Sequence, residues 1–520
     1  MSTTSSNIHP TLYERIFLRP LGLDTDNSLV LWLLLLAGTI MVGSLWYFEG
    51  DFIVTLSILF VVSIAVLSFL KPSYSLSFLV LLVLLFDQYG IPDHEPFTYT
   101  IDYFRNLKEV SYIPFFDGGT TNIIEIHLLL IILSLVFVLG VSKKFKYQGV
   151  PVWGACLFFL GCFMFSFMYG LKNGGDFLVA MWEVRALFYL LLLYFITPQL
   201  IRTRQQMKGL IWVFIIGITF KAFQAIYRFI DLGFTTGGLA TLSNHEDPVF
   251  MVTLFILLTG FMVFKSRNRQ LYMLIALLFP LLLGFYFGMR RAAYASMMVS
   301  FAVFVILLDR KNRHNFLKVA IPCFIGLLIY SAVFWNHQGR LGRPIQMVKT
   351  GFERPTIEEN YEDYHSNLYR EKENYNLAKT IENNPVIGTG FGVAYDQPVE
   401  LFAIRYPLRD YIPHNEIIWV MVKMGTIGFF AFWFFFNSFV AKGIRIFSRL
   451  KDPYLKAVTL FIIIAVINQM VVSYFDLQLT YYRNMIYLGC LMGLLKTVET
   501  IHKDENSNSD KNENEENHSS

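Results

Sequence analysis

Tyr411-Ile412-Pro413-His414-Asn415 closes a long polar stretch and leads straight into the apolar run that begins Glu416-Ile417-Ile418-Trp419-Val420. The polar stretch opens near Asn336, and on either side of it the chain is a string of apolar segments long enough to cross a bilayer. One large charged loop, carrying a glycine-rich turn and a terminal histidine among so many spans, points to chemistry at a membrane face rather than passage of solutes. The loop is therefore where function is to be read.

The broad class follows from composition. Of 520 residues, 55% are hydrophobic and 16% are charged, with a mean hydropathy of +0.48. This is the make-up of a polytopic membrane protein, with membrane lipids as its surroundings and no nucleic-acid partner expected. Apolar runs lie at 28–47, 52–70, 74–87, 122–141, 151–170, 178–200, 209–230, 249–264, 271–288, 292–308, 315–335, 416–440, 454–474 and 480–497. The expected fold is an all-α, polytopic transmembrane helical bundle of about 12–14 spans with one large, partly helical extracytoplasmic loop. Its parts are an N-terminal cytoplasmic segment (1–27), eleven helices (28–335), the loop (336–415), three further helices (416–497) and a disordered cytoplasmic tail (498–520). The first apolar run is long and has no small-residue cleavage site, so it reads as a retained span. Cys156, Cys162, Cys323 and Cys490 fall inside apolar segments and read as small buried hydrophobes.

Basic residues set the orientation. Lys143-Lys144-Phe145-Lys146, Arg202 to Lys208, Lys265 to Arg269, Arg310 to Arg313 and Lys442 to Lys451 mark every second connection. By the positive-inside rule both termini are cytoplasmic and the long loop is outside. The tail after Lys503 is Asn, Glu and Ser without an apolar residue, a composition that does not fold by itself.

The outer side carries cations where few are expected. Arg290 and Arg291 lie between two spans on that side, Arg228 and Arg483 near outer helix ends, Arg185 roughly 10 Å further in, and Lys221 near mid-membrane. A cation at a helix centre costs about 2.5–3.5 kcal/mol. A common anionic ligand is the reading we favour for the outer arginines. Snorkelling to lipid phosphates, or pairing with Glu183 or Asp476, is the alternative.

Within the loop, Tyr361, Tyr364, Leu368, Tyr375, Ala378 and Ile381 recur at helical spacing between Ile357 and Asn383. They predict an amphipathic helix that also carries Arg370, and Asn383-Asn384-Pro385 should stop it. Gly388-Thr389-Gly390-Phe391-Gly392 follows, a turn whose bare amides could approach an anion or a sugar, or could simply close the helix sharply. His414 at the membrane interface suits a general base. His245, on an outer loop, could line a site. No metal-ligand spacing is present, so neither a metal nor another cofactor is expected.

Taken together these residues resemble the O-antigen ligase/polymerase superfamily, over roughly residues 150–440. The resemblance rests on Arg370 upstream of Asn384-Pro385-Val386-Ile387-Gly388-Thr389-Gly390-Phe391-Gly392, then His414-Asn415, then Gly425 and Gly428 in the next helix. Gly288-Met289-Arg290-Arg291-Ala292 is similar to the family's arginine-bearing turn, and Glu183-Val184-Arg185 to its mid-chain membrane arginine. The chain departs from the family pattern at Asn374, where a tryptophan is common, at Met289-Arg290-Arg291, which replaces Ser-Arg-Gly, and at Lys423-Met424, which replaces an acidic residue.

The resemblance implies a metal-independent glycosyltransferase of the bacterial inner membrane. It would move a glycan from an undecaprenyl-diphosphate-linked donor to an acceptor hydroxyl. The acceptor would be lipid A-core in a ligase, a growing glycan in a polymerase, or a protein in an oligosaccharyltransferase. His414, Arg370 and Arg291 would be catalytic; Arg185, Arg290, Glu183, Gly388, Gly390, Gly392 and Asn415 would bind substrate. A transporter or flippase of lipid-linked glycans is the other class that wants internal cations, but no repeated halves are visible.

Overall fold

The computed structural model describes residues 27–47, 52–90, 96, 98–101, 103–106, 120–141, 147–235, 239, 241–337, 339, 342–352, 356, 361–401 and 408–519. The N-terminal segment up to residue 26, the Lys143–Lys146 cluster and parts of the polar loop lie outside the described residues. Among those described the protein is all-helical, apart from one isolated antiparallel bridge between Asn106 and Asn122. The chain divides into two compact units, residues 1–82 with 99–147, and residues 83–98 with 148–520.

The first unit holds α1 (Asn27–Tyr47), α2 (Phe52–Leu70), most of α3 (Pro72–Leu85) and α4 (Ile123–Val141). Here α2 packs on α1 and α4. Ser75 Oγ lies 2.9 Å from His127 Nε2 and gives the lone histidine of apolar α4 a polar partner.

The second unit holds α5 (Trp153–Lys172), α6 (Phe177–Leu200), α7 (Arg204–Asp231), α8 (Asp247–Val263), α9 (Arg269–Ala276), α10 (Leu278–Gly288), α11 (Arg291–Leu307), α12 (Arg310–Phe334), α13 (Arg343–Phe352), α14 (Tyr361–Asn383), α15 (Glu416–Arg449), α16 (Pro453–Phe475) and α17 (Tyr482–Ser519). Their starts are written in the sequence. Asp176 caps α6 by accepting from Val179 N, Thr203 and Gln206 form a capping box on α7, and Asp452 caps α16 just before Pro453. The core forms where α6 packs on α17, α8 and α11 on α16, α5 on α15, and α7 on α10.

Among the described residues six helices are long and apolar enough to span a membrane, or seven if α9 and α10, bent by 55° at their junction, count as one. The remaining apolar runs form shorter helices, so fewer elements than the 12–14 expected satisfy a full span by themselves. No residue of α12 is buried, and Cys323 on it is exposed; hydrocarbon, not protein, is the natural surrounding of such an apolar surface. Cys156 and Cys490 are buried and Cys162 is half-buried.

The basic connections gather at one end of the second unit. Arg204 bridges Asp452 at 2.7 Å and Glu505 at 2.9 Å, and Lys442 bridges Glu499 at 3.0 Å. The tail expected to be disordered continues α17 to Ser519. Lys496 and Lys503 stand three and four residues from Glu499 and pair with it, local support that composition alone does not reveal.

Candidate active site at the ends of the polar loop

The residues singled out in the loop come together at the opposite end of this unit, around a break in α15. Gly425 has φ 63° and ψ −172°, which interrupts the helix and leaves backbone groups without their usual partners. The turn after α14 supplies them. Thr389 N donates to Val422 O at 2.9 Å and Gly390 N to Lys423 O at 3.0 Å, while Thr426 N donates to Pro385 O at 2.9 Å. Gly388, Gly390 and Gly392 have φ of 80°, 82° and 82°. A Cβ on Gly390 would fall 2.3 Å from Gly170 Cα, so only glycine permits this approach to α5.

This geometry gives the three glycines, expected to bind substrate, a structural task. Their amides are consumed inside the protein: Gly388 N by Asn384 O, Gly390 N by Lys423 O, and Gly392 N by Glu183 Oε2 at 2.5 Å. They plug the broken helix. Glu183, also expected to bind substrate, has internal partners as well. It is sealed from solvent, and besides Gly392 its carboxylate takes Trp419 Nε1 at 3.3 Å and Lys423 Nζ at 2.8 Å. Lys423, which stands where the family often has an acid, is the buried counter-ion of Glu183. Asn415 is likewise engaged, its side-chain oxygen capping α15 by accepting from Ile418 N at 3.1 Å.

The next residue, Glu416, fixes a second segment. Its carboxylate accepts from the amides of Gln478, Leu479 and Thr480, and from Thr480 Oγ1 at 2.5 Å. The turn that carries Asp476 is thereby held against the end of the loop.

His414 is positioned by Glu373, which sequence reasoning missed. The Glu373 carboxylate accepts from His414 N at 3.0 Å and sits 3.2 Å from His414 Nδ1. Glu373 is 1% exposed and the His414 side chain 19%. Tyr369, edge-on to the imidazole with 5.4 Å between ring centroids, completes the setting. The helix carrying both, α14, exists where expected, but its buried face is not the aromatic one. Tyr361, Tyr375 and Ala378 are exposed, whereas Tyr369, Glu373, Asn376, Leu377 and Thr380 are buried. Hydrogen bonds set that orientation: Asn376 pairs with both backbone groups of Val399, and Thr380 Oγ1 accepts from Asp396 N. Tyr369, Leu377, Tyr395, Leu401 and Val422 form the apolar cluster beneath.

The arginines divide into two groups. Arg290 follows the left-handed Met289, and its guanidinium donates to His245 Nε2. His245 Nδ1 lies 3.3 Å from Asp476 Oδ2. Since an arginine can only donate, Nε2 is the acceptor and the ring is the neutral Nδ1–H tautomer, which donates to Asp476. Desolvation by the surrounding protein and the charge of Arg290 hold this imidazole below its usual value, against the pull of Asp476. Burial opposes ionisation of Asp476, but His245, Arg290 and Arg370 together hold its carboxyl well below the usual range. Arg370 thus acts electrostatically on both Arg290 and Asp476, yet it makes no hydrogen bond or ion pair among the described residues. Arg291 reaches α14 itself, through Asn367 Oδ1 at 3.2 Å. Arg185 sits at Tyr482, 3.5 Å from its hydroxyl and 5.9 Å from its ring centroid.

Arg483 and Lys221, by contrast, are internal ion pairs and not binders of an outside anion. Arg483, fully buried, meets Glu246 at 2.7 Å and Asp247 at 2.9 Å, and Lys221 meets Asp87 at 2.7 Å. These acids are remote in sequence, so their proximity was not legible. No group of three or more His, Cys, Asp or Glu able to hold a metal occurs among the described residues.

Long apolar helices, one of them broken at Gly425 and plugged by the glycine turn, define an integral membrane protein. Residues 252–433 match the family model described as O-antigen ligase, a match that supports the O-antigen ligase superfamily. The matched stretch contains Arg290, Arg291, Arg370, the glycine turn and His414, while Glu183, Arg185, His245 and Asp476 lie outside it. No curated protein matches the chain significantly.

Proposed function

We propose that the protein transfers a glycan from an undecaprenyl-diphosphate-linked donor to an acceptor hydroxyl at the outer face of the bacterial inner membrane, with both termini cytoplasmic. The observation that carries this reading is Arg370. It lies near Arg290 and Asp476 yet makes no hydrogen bond or ion pair among the described residues, so its guanidinium donors are open to a further anion. A diphosphate suits the guanidinium fork of such an arginine.

In this reading His414 accepts the proton of the acceptor hydroxyl at Nε2, while Glu373 on Nδ1 fixes the ring and stabilises the imidazolium that forms. The acceptor oxygen bonds to the anomeric carbon of the donor sugar. The bond from that carbon to the diphosphate oxygen breaks, and the electron pair leaves on undecaprenyl diphosphate. Arg290 and Arg370, with Arg291 beside them, stabilise the leaving charge. Glu183, Lys423 and the three glycines hold the helix break that sets the loop end, and so position His414 without touching substrate.

Complementation of surface-glycan assembly with wild type, His414→Ala and Arg370→Ala tests this, reading chain length and lipid A attachment together. Single repeat units that remain attached after loss of long chains identify a polymerase. Polymer that accumulates on the carrier lipid without attachment identifies a ligase, and loss of a glycosylated protein identifies a protein acceptor. Unchanged glycans in both variants would overturn the transfer reading.

A further inference from the structure

A second charged site lies behind the loop that carries His245. Thr241 and Leu242 pin this loop to the turn at residues 287–288 through Thr241 Oγ1 to Gly288 O and Leu242 N to Phe287 O. His245 faces Arg290, but Ser243 and Asn244 face the other way, into a cavity of 320 Å³ bounded by α7 and by Asp87 and Thr98. Arg228 lines this cavity and is 3% exposed, and none of its three guanidinium nitrogens has a hydrogen-bond partner. Ser243, on the same wall and 4% exposed, has an unpartnered hydroxyl.

The carboxylates nearby do not satisfy Arg228. Asp87 is taken by Lys221, Asn244 and Thr98, and Asp247 by Arg483 and the amide of Asn244. A buried guanidinium with five donors and no acceptor is costly unless a ligand supplies oxygens. A phosphate group does this in matching geometry and can also accept from Ser243.

The surroundings say how such a group arrives. On α7, Lys221, Gln224 and Arg228 share one face at helical spacing, and Phe220, Phe223 and Tyr227 form the flank beside it, 43%, 49% and 68% exposed. An aromatic flank open to the hydrocarbon, next to a buried cation three residues from the helix end at Asp231, fits an amphiphile with its phosphate inside and its chains outside. We propose that the Arg228–Ser243 cavity binds the phosphate of a membrane lipid at a site separate from that around His414. The inference does not depend on the transferase reading.

The test is native mass spectrometry of the full-length protein in detergent. Phosphatidylglycerol, undecaprenyl phosphate, inorganic phosphate and phosphate-free diacylglycerol would each be titrated into wild type, Arg228→Gln, Arg228→Lys and Ser243→Ala. Wild type is expected to retain one phosphate-bearing lipid and no diacylglycerol. Arg228→Gln should weaken that retention at least about tenfold, and Ser243→Ala and Arg228→Lys by less. Preference for phosphatidylglycerol identifies a bulk-lipid site and preference for undecaprenyl phosphate a carrier site. Inorganic phosphate that binds alone and competes identifies the headgroup as sufficient. Should Arg228→Gln fail to fold, Ser243→Ala and Arg228→Lys decide. Equal retention of both lipids by every folded variant, or equal retention of diacylglycerol, overturns the proposal.

Discussion

Replacing Glu373 by glutamine tests whether His414 works as an oriented base. The change keeps size and removes charge at a residue that is 1% exposed and makes two contacts to His414, one to its amide and one to Nδ1. A glutamine can keep one of them through its carbonyl oxygen, but it cannot stabilise an imidazolium. A hydrogen bond to a charged group is worth about 1.5–3 kcal/mol. At about 1.4 kcal/mol per tenfold, the rate of transfer should fall roughly 10–150-fold. His414→Ala should lose more, about 10²–10⁴-fold. The assay is turnover of a lipid-linked donor by solubilised enzyme at saturating donor, with thermal unfolding measured alongside. If Glu373→Gln keeps full kcat while His414→Ala is inactive, Glu373 only builds the loop and the oriented-base argument fails. A rate loss matched by a large drop in unfolding temperature would assign the effect to folding.

Arg370→Ala should lower kcat/KM for the lipid-linked donor by roughly 10²–10³-fold, with Arg370→Lys recovering part of it; donor titrations that superimpose on wild type would remove the arginine clamp. Glu183→Gln and Lys423→Met should each destabilise the protein by about 3–5 kcal/mol, since each strands the other's buried group, while the double variant should lose far less than the sum. Chemical unfolding of the four proteins reads this out, and simple additivity would mean that the 2.8 Å pair is not energetically coupled. His245 has its folded pKa lowered from 6.5, so its contribution is complete above that value and is lost as the pH falls below it, when a proton on Nε2 evicts Arg290. The melting temperature of wild type should therefore drop on acidification from about pH 7.5 to about pH 5 more than that of His245→Asn, and parallel profiles would discard the tautomer assignment. Excess EDTA should leave transfer unaffected, because the proposed stabilisers of the leaving group are guanidiniums; inhibition reversed by added Mg²⁺ would require a different account.

The parts that were legible in the sequence are those governed by local or one-dimensional rules. The apolar runs became helices because hydropathy depends only on what each residue avoids. The stop at Asn383-Asn384-Pro385 and the glycine turn appeared in place because proline and glycine act on their own backbone. What was not legible was direction. The spacing of Tyr361, Tyr375 and Ala378 predicts an amphipathic helix with these residues on its apolar face, but α14 is turned so that they are exposed and Glu373, Asn376 and Thr380 face inward. That rotation is set by hydrogen bonds to His414, Val399 and Asp396, partners that have no period in the helix itself. The same holds for the cations. Arg483, Lys221 and Arg370 look alike as charged residues in or beside apolar segments. Only the fold shows that Glu246 and Asp247 meet the first, that Asp87 meets the second, and that among the described residues no carboxylate forms an ion pair with the third. An intramembrane cation is thus informative in proportion to the pairing that remains undone. By that criterion Arg370 at the loop end and Arg228 in its separate cavity are the two sites proposed here for anionic ligands.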